Sequence, residues 1–173
     1  MFKYNKHTPL DQDHIKYLFD LDFVTGILVW KNPTSLKIFK GAIAGCLRKD
    51  NYRVIGIYGK LYLAHRIIYL YINGQWPENL IDHKTCDPAN NKPNLIRDAT
   101  KSQNGMNRGL QSNNTSGYRG ISWDKNYNKW HAYIKINGKR IHLGYFELLQ
   151  NAVEAREIAE QKYFGDFNYK QAA

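Results

Sequence analysis

The sequence feature that most constrains the fold is the dipeptide Asn137-Gly138, which separates two runs of alternating apolar and polar residues, 130–136 and 139–145. Asn and Gly tolerate the positive φ angles of a two-residue type I′ turn, so the pattern predicts a tight antiparallel β-hairpin. A two-residue loop also fixes the strand register. The expected pairs are Ile136 with Lys139, Lys135 with Arg140, Ile134 with Ile141, Tyr133 with His142 and Ala132 with Leu143.

This register sorts the hairpin side chains onto two faces. The apolar face carries Trp130, Ala132, Ile134, Ile141 and Leu143. The opposite face carries His131, Tyr133, Lys135, Arg140 and His142. The apolar face needs a cover, and the small residues of segment 151–164 are spaced for a helix that can pack closely on a sheet. Residues 118–167 are therefore predicted to form a small three-stranded antiparallel sheet packed on one helix.

The second face of this predicted sheet is strongly basic. Residues 112–145 contain six Lys and Arg but only one acid, Asp124, and the whole chain has a net charge of +10. Lys135 and Arg140 lie side by side, which costs stability unless an anion covers them. A nucleic acid is the expected partner, because a polyanion releases its counterions to a basic surface. A solvated sheet face without a partner is the alternative.

Composition excludes several other classes of protein. Apolar residues make up 43% of the chain, which is enough for a core and excludes global disorder. The longest apolar stretch, residues 67–72, is far shorter than the about 20 residues of a membrane helix, and no signal segment is expected. Cys46 and Cys86 lie 40 residues apart, which excludes a disulfide scaffold. We expect an intracellular, cytoplasmic protein without a membrane or small-molecule partner.

The middle of the chain has residues suited to metal-assisted hydrolysis. Asp82 and His83 are adjacent, so on an extended strand one can bind a cation while the other takes a proton from water. Thr100 and Gln103 form a capping box, which predicts a helix that begins there and carries Asn104. A strand, a loop, a short strand and this helix could aim Asn104 back at Asp82. Carboxylate and amide oxygens suit Mg²⁺ or Mn²⁺ rather than zinc.

The order of these residues resembles the HNH endonucleases, in particular the phage-type group with Asn as the last metal ligand, over roughly residues 17–108. The matching residues are Thr25-Gly26, Leu28-x-Trp30-Lys31, Ala64-His65-Arg66, Gly74-x-Trp76-Pro77, Asp82-His83, Asn90-Asn91, Asn94-Leu95, Arg97, Thr100 and Gln103-Asn104. The resemblance implies a ββα-metal hairpin and helix. It also implies that His83 is the general base and that Asp82 and Asn104 hold Mg²⁺ or Mn²⁺.

The resemblance further implies an Asn on the second strand that orients the imidazole of His83. The family usually has this Asn one residue later than here, where this chain has Leu95. We expect Asn94 to take the role through a one-residue shift, because Asn94-Leu95 reproduces the family's Asn-Leu pair. Candidates for supporting catalysis are His65, Arg97 and Arg108. The alternatives are a structural role for the histidine and solvated surface charges for the arginines.

Residues 118–168 resemble an AP2 DNA-binding domain. The landmarks are Tyr118-Arg119-Gly120, Trp130-x-Ala-x-Ile134, Leu143-Gly144-x-Phe146 and the Ala-rich helix that closes at Phe164-Gly165. The resemblance implies that the sheet reads DNA through Arg119, Ser122, Tyr133, Lys135 and His142, and Arg140 lies on the same predicted face. The family often has Arg, Glu and Trp where this chain has Ser122, Tyr133 and His142. The docking mode is therefore expected to carry over, whereas the sequence preference is not.

Together these features predict an α+β chain of two modules. An HNH endonuclease module at 1–108, with its ββα-metal core at about 79–108, is joined by a linker at 109–117 to an AP2-like DNA-binding domain at 118–168. The expected function is metal-dependent nicking of double-stranded DNA by a monomer, as in phage-encoded, often homing, endonucleases. An inactive DNA-binding regulator is the main alternative. An RNA-binding protein is less favoured, because single-stranded RNA readers present aromatic stacking platforms.

Overall fold

The computed structural model describes residues 5–169 of the chain. It is an α+β structure with small antiparallel sheets, as the sequence predicted, and it divides into two compact units between Ala99 and Thr100. The division precedes the segment 109–117 that was predicted as a linker, so residues 100–117 belong to the second unit. No helix in the described part of the chain combines the length and the apolar character needed to cross a bilayer.

The first unit opens with helix α1 (Gln12–Leu18), whose first turn is capped by the side chain of Asp11. The helix ends at Leu18, because Phe19 has an extended backbone and begins strand β1 (Phe19–Asp22). Strand β1 pairs antiparallel with β2 (Ile27–Trp30), the apolar run after Gly26. The side chains of Phe19 and Trp30 pack against each other at a ring-centroid distance of 4.4 Å.

A second antiparallel sheet contains three strands: β3 (Cys46–Leu47), β4 (Arg53–Ile57) and β5 (Lys60–Leu63). The last two strands form a hairpin with its turn at Tyr58-Gly59, which have φ angles of 48° and 80°, and Lys60 pairs with Ile57. Two consecutive positive φ angles are those of a type I′ turn, which matches the twist of the two strands.

Helix α2 (Ala64–Asn73) follows the second sheet directly. It ends as predicted at Gly74, which adopts a φ of 77° and donates its N–H to the Leu70 carbonyl. The buried face of α2 joins residues of α1 and of both sheets in one core: Ile15, Leu18, Phe19, Leu28, Trp30, Ile55, Ile57, Ile67, Ile68 and Leu70. Burying this many large apolar side chains is the main stabilising term of the unit.

A two-stranded hairpin completes the first unit. Strand β6 (Leu80–His83) pairs antiparallel with β7 (Ile96–Ala99), and the loop between them ends in a short 3₁₀ helix, Pro93–Leu95. Ile81 and Ile96 insert into the core described above, so the hairpin is fixed on it. The predicted succession of strand, loop, short strand and helix is confirmed, because a helix begins immediately after β7.

This helix, α3 (Lys101–Met106), is the first element of the second unit. Its predicted capping box is present: the Thr100 hydroxyl accepts the Gln103 N–H, and the Gln103 side chain accepts the Thr100 N–H. The helix is short and Asn107 is its C-cap. Arg108, a candidate for supporting catalysis, is therefore outside the helix.

The rest of the second unit contains the three strands and the helix that the sequence predicted. Strands β8 (Ile121–Asp124), β9 (Lys129–Ile136) and β10 (Lys139–Phe146) form an antiparallel sheet with β9 in the centre. Helix α4 (Leu149–Phe164) covers one face of the sheet. The residues buried between them are Ile121, Ala132, Ile134, Ala152, Val153 and Ala159. The expected apolar face is thus confirmed at its centre.

The predicted register of this hairpin is correct for four of its five pairs. The fifth is wrong, because a β-bulge at Leu143 makes Ala132 pair with Gly144 instead. Gly144 has a φ of 142°, and a Cβ there would lie 2.9 Å from the Phe146 ring, so the bulge depends on glycine. Beyond the bulge the alternation is inverted, and Tyr145 lies opposite His131 on the basic face.

Candidate active site and nucleic-acid interface

His83 is the last residue of β6, and its imidazole is 6% exposed. Its Nε2 lies 3.0 Å from Oδ1 of Asn91, a residue of the following loop that is itself 3% exposed. Asn91 Nδ2 is 3.4 Å from the Ala89 carbonyl, which turns the amide oxygen towards the histidine. Because an amide oxygen only accepts, this hydrogen bond requires the proton on Nε2, which in a neutral imidazole leaves the lone pair on Nδ1.

Sequence reasoning missed Asn91 as a partner of His83, although Asn90-Asn91 stood among the matching residues. The sequence favoured Asn94, whose backbone carbonyl accepts a hydrogen bond from Lys84 Nζ at 2.9 Å. The orienting role of Asn94 stays a prediction. The position of Asn91 depends on the path of the loop, which turns back after His83 through Cys86 at a φ of 57°. No local signal in the sequence fixes that path.

Gly26, which the sequence singled out beside Thr25, lies directly against this loop. It has a φ of 71°, and a Cβ there would be 2.3 Å from the backbone carbon of Asn91. Any side chain at position 26 would therefore displace the Asn91 backbone. Gly26 therefore helps to place Asn91, and through it the ring of His83.

Asp82 precedes His83 on β6 and is 2% exposed. Its Oδ2 accepts hydrogen bonds from both Nε and Nη2 of Arg97, each at 2.8 Å, and the two residues are direct cross-strand partners. A buried carboxylate without a cation would be strongly destabilising, so this pairing explains how the acid is tolerated. Arg97, a candidate for supporting catalysis, is thus the ion-pair partner of the predicted metal ligand.

His65, the second candidate for supporting catalysis, lies beside the predicted base. Its ring centroid is 5.1 Å from that of His83 and 5.5 Å from that of Tyr52. Burial, followed by the charges of His83 and Arg66, lowers the pKa of His65 to about 3. His65 is therefore neutral at physiological pH. The adjacent Arg66 has a structural role, because its guanidinium donates to the carbonyls of Pro77 and Asn79.

Asn104, the second predicted metal ligand, lies half-buried on α3. The helix is anchored within the second unit at two points. Met106 is buried among residues of the sheet and of α4, and the Ser102 hydroxyl oxygen accepts the N–H of Asn137 at 3.1 Å. Among residues 5–169, no group of three or more His, Cys, Asp or Glu side chains is arranged to hold a metal. Joint coordination by Asp82 and Asn104 stays a prediction.

Comparison with known proteins identifies the region that contains these elements. An HNH endonuclease family model matches residues 62–106, from β5 to the end of α3. The chain is 30% identical over 97 residues to Protein 3.8 of Escherichia phage T7, a match that covers 54% of this chain and 80% of that protein. Residues 62–106 are an HNH endonuclease domain. The predicted resemblance to the HNH endonucleases is confirmed for these residues, and such a domain implies a hydrolase that cleaves DNA.

A second viral protein matches a longer part of the chain. The chain is 32% identical over 123 residues to a protein of Acanthamoeba polyphaga mimivirus described as an uncharacterized HNH endonuclease. That match covers 70% of this chain and 63% of the mimivirus protein. No solved structure matches the chain. HNH nucleases generally use divalent metal ions, and the carboxylate oxygens of Asp82 are hard donors of the kind that such ions prefer.

The second unit has a basic and aromatic outer face, on the side of the sheet away from α4. We define the outer face by His131, Tyr133, Lys135, Arg140, His142 and Tyr145. Lys135 and Arg140 are cross-strand neighbours as predicted, and the Arg140 guanidinium lies 4.7 Å from the centroid of the Tyr133 ring. Neither cation forms an ion pair within residues 5–169. The outer face therefore carries uncompensated positive charge.

The aromatic side chains of the outer face form a stacked group that the alternation of residues along the strands did not predict. His131 Nε2 lies 3.0 Å from His142 Nδ1, and the ring of Tyr145 lies 5.0 Å from each imidazole. Burial and the neighbouring His142 lower the pKa of His131. Because these rings pack on one another, their faces are partly covered, which is unfavourable for stacking of single-stranded bases. Ring nitrogens and the Tyr145 hydroxyl suit hydrogen bonds better.

Two other residues that the AP2 resemblance assigned to DNA contacts have different environments. Ser122 is exposed on β8 opposite His131, next to the outer face. The Arg119 guanidinium instead donates to the carbonyls of Met106 and Arg108, and it lies 3.3 Å from Glu160 Oε1. The resemblance did not anticipate these three protein partners. The AP2 assignment and its DNA contacts stay predictions.

Proposed function

We propose that this protein is a metal-dependent endonuclease that hydrolyses a phosphodiester bond of double-stranded DNA, most simply by nicking one strand as a monomer. The observation that carries this proposal is the hydrogen bond between His83 Nε2 and Asn91 Oδ1 within the HNH domain. This hydrogen bond leaves the lone pair of the neutral imidazole on Nδ1. A general base needs an unprotonated nitrogen of this kind. A neutral His65 beside it adds no positive charge that would oppose proton uptake.

In this proposal His83 takes a proton from the attacking water, and Asn91 keeps the ring in the required tautomer. Asp82 and Asn104 are the residues that would hold Mg²⁺ or Mn²⁺. When bound, the ion offsets the charge that develops on the phosphate and on the leaving oxygen. Arg97 orients the Asp82 carboxylate through a hydrogen bond and a salt bridge. Asn94 remains a second candidate for orienting His83.

The second unit would supply duplex binding and sequence preference. Lys135 and Arg140 offer unpaired cations to phosphates, and Tyr133 and His142 lie between them and the rest of the outer face. A small sheet of this kind can lie in the major groove, where cations contact phosphates and polar ring atoms contact base edges. Attachment of a reader to a nuclease domain with little binding surface raises the local concentration of the active site at its target.

The experiment that tests the proposal is relaxation of supercoiled plasmid by the full chain with Mg²⁺ or Mn²⁺, and with EDTA as the metal-free reference. His83→Ala should reduce nicking by about 10²- to 10⁴-fold, the usual contribution of a general base, with nearly unchanged duplex affinity. His7→Ala, at an exposed position outside the HNH domain, is the matched control. Tight duplex binding by a wild-type chain that leaves the plasmid intact would identify an inactive regulator instead.

A further inference from the structure

A cavity of about 400 Å³ lies within the second unit, beside the outer face. Its walls come from segment 105–115, from the sheet and from α4. Five cationic side chains line it, whereas no Asp or Glu among the described residues does: Arg108, Arg119, Lys135, Arg140 and Arg156. We call this space the basic cavity. A concentration of like charges around one cavity is unfavourable unless an anion occupies it.

The five cations are not equally available to a ligand. Arg119 and Arg156 share Oε1 of Glu160, and each also donates to backbone carbonyls, so both belong to the wall. Arg108, Lys135 and Arg140 form no ion pair within residues 5–169. These three cations therefore remain to bind an anion, and the one nearby carboxylate is already shared by two guanidinium groups.

The chain segment that supplies Arg108 is fixed to the domain rather than extended as a free linker. Arg119 holds the carbonyls of Met106 and Arg108. Farther along, the Asn114 side chain accepts the N–H of Gly117 at 2.7 Å and donates to the Tyr118 carbonyl at 2.9 Å. The wall opposite the sheet is therefore built by ordered backbone, which presents Arg108 and Asn113 to the cavity.

The position of the basic cavity indicates which anion it takes. Tyr133, Lys135 and Arg140 belong both to the cavity lining and to the outer face, so the two surfaces are continuous. A duplex on the outer face would bring its sugar-phosphate backbone to the mouth of the cavity. We infer that the basic cavity receives a backbone phosphate of the bound DNA, with Arg108 as a phosphate contact supplied from outside the sheet. The inference rests on the proposed duplex binding by the second unit.

The test is duplex binding by the full chain in EDTA, measured over a series of salt concentrations so that cleavage does not interfere. Arg108→Ala should weaken binding by roughly five- to tenfold at 0.1 M salt and lower the salt slope by about one unit, because one phosphate contact is lost. Arg108→Lys should retain most of the slope. Lys162→Ala removes the same charge from the exposed surface of α4 and should change neither quantity.

A second variant keeps the test decisive if Arg108→Ala disturbs the fold. Asn113→Asp places a negative charge at the cavity and should weaken binding several-fold, whereas Asn151→Asp, in the first turn of α4, should not. The inference is overturned if both cavity variants bind like wild type while Lys135→Ala with Arg140→Ala lowers the slope, and the proposed function then stands. A wild-type chain that neither binds duplex DNA nor cleaves it overturns both.

Discussion

In the β6–β7 hairpin Asp82 and His83 are buried and paired, whereas on the outer face of the second unit Lys135 and Arg140 are exposed and form no ion pair among the described residues. Asp82 is held by Arg97, and His83 is held by Asn91. Lys135 and Arg140 instead repel each other across the strands. A reacting group needs a fixed position and tautomer, and burial with a partner supplies both. A surface for a polyanion gains from leaving its cations available.

The largest expected effect comes from removing Arg97, the partner of the buried Asp82. Arg97→Ala should lower the free energy of unfolding by about 3–5 kcal/mol, because the buried Asp82 carboxyl group would lose its cationic partner. Arg48→Ala removes an exposed partner of Asp50 and should cost less than about 1 kcal/mol. Chemical denaturation in EDTA measures both. Equal small losses would show that Asp82 is solvated in solution.

The second prediction concerns the pH dependence of stability. The pKa of His65 is about 3 in the folded chain and 6.5 in the unfolded chain. The contribution of His65 to the free energy of unfolding is therefore present above pH 6.5 and is lost as the pH falls towards 3. Between pH 7 and pH 4 this loss amounts to about 3 kcal/mol. His65→Phe should flatten the denaturation profile over this range, and His7→Phe should not. Parallel profiles for wild type and His65→Phe would contradict burial of the neutral ring.

The third prediction concerns the exposed cations of the outer face, Lys135 and Arg140. Lys135→Ala with Arg140→Ala should weaken duplex binding by roughly tenfold or more at 0.1 M salt and reduce the salt slope by up to about two units. Its effect on stability should be small or favourable, because two like charges are removed from adjacent strands. Fluorescence anisotropy over a salt series and thermal unfolding give the two quantities. An unaltered slope would exclude the outer face from the DNA interface.

The smallest expected effect distinguishes the two residues that could orient His83. Asn91→Ala should slow cleavage by about tenfold with little change in metal requirement, because one hydrogen bond to the base is lost. Asn94→Ala is the matched comparison in the same loop. Single-turnover nicking across a Mg²⁺ titration measures both variants. A slow Asn94→Ala beside a normal Asn91→Ala would return the orienting role to the residue that the sequence favoured.

Several elements of both units were predictable because their signals are local. Asn137-Gly138 specified a hairpin and four of its pairs, and Thr100 with Gln103 specified where α3 begins. The predicted register failed at Leu143, where the bulge depends on Gly144 and on the neighbouring Phe146 ring. A shift of one residue there brings Tyr145 to the outer face, and neither alternation nor composition indicates it.

The candidate site was predictable in its residue types but not in its contacts. Asp82 and His83 were identified from their adjacency and from the residues that follow them. The partners Arg97, Asn91 and His65 are 15, 8 and 18 positions away from the residues they contact, and each contact needs a folded hairpin, loop or helix. Arg97 was regarded as a candidate for supporting catalysis, and the structure assigns it to the carboxylate of Asp82.

The amino-acid sequence by itself determined the Asn137-Gly138 turn, the residue at which α3 begins and the two-face pattern of the last sheet as far as the bulge. These follow from backbone preferences and hydrogen bonds that act within a few residues. Only the tertiary structure decided which nitrogen of His83 carries its proton, which cation holds Asp82 and which arginines remain available at the basic cavity. Those outcomes depend on distant segments packed together at fixed distances, where burial makes an unpaired polar group costly and so selects its partner.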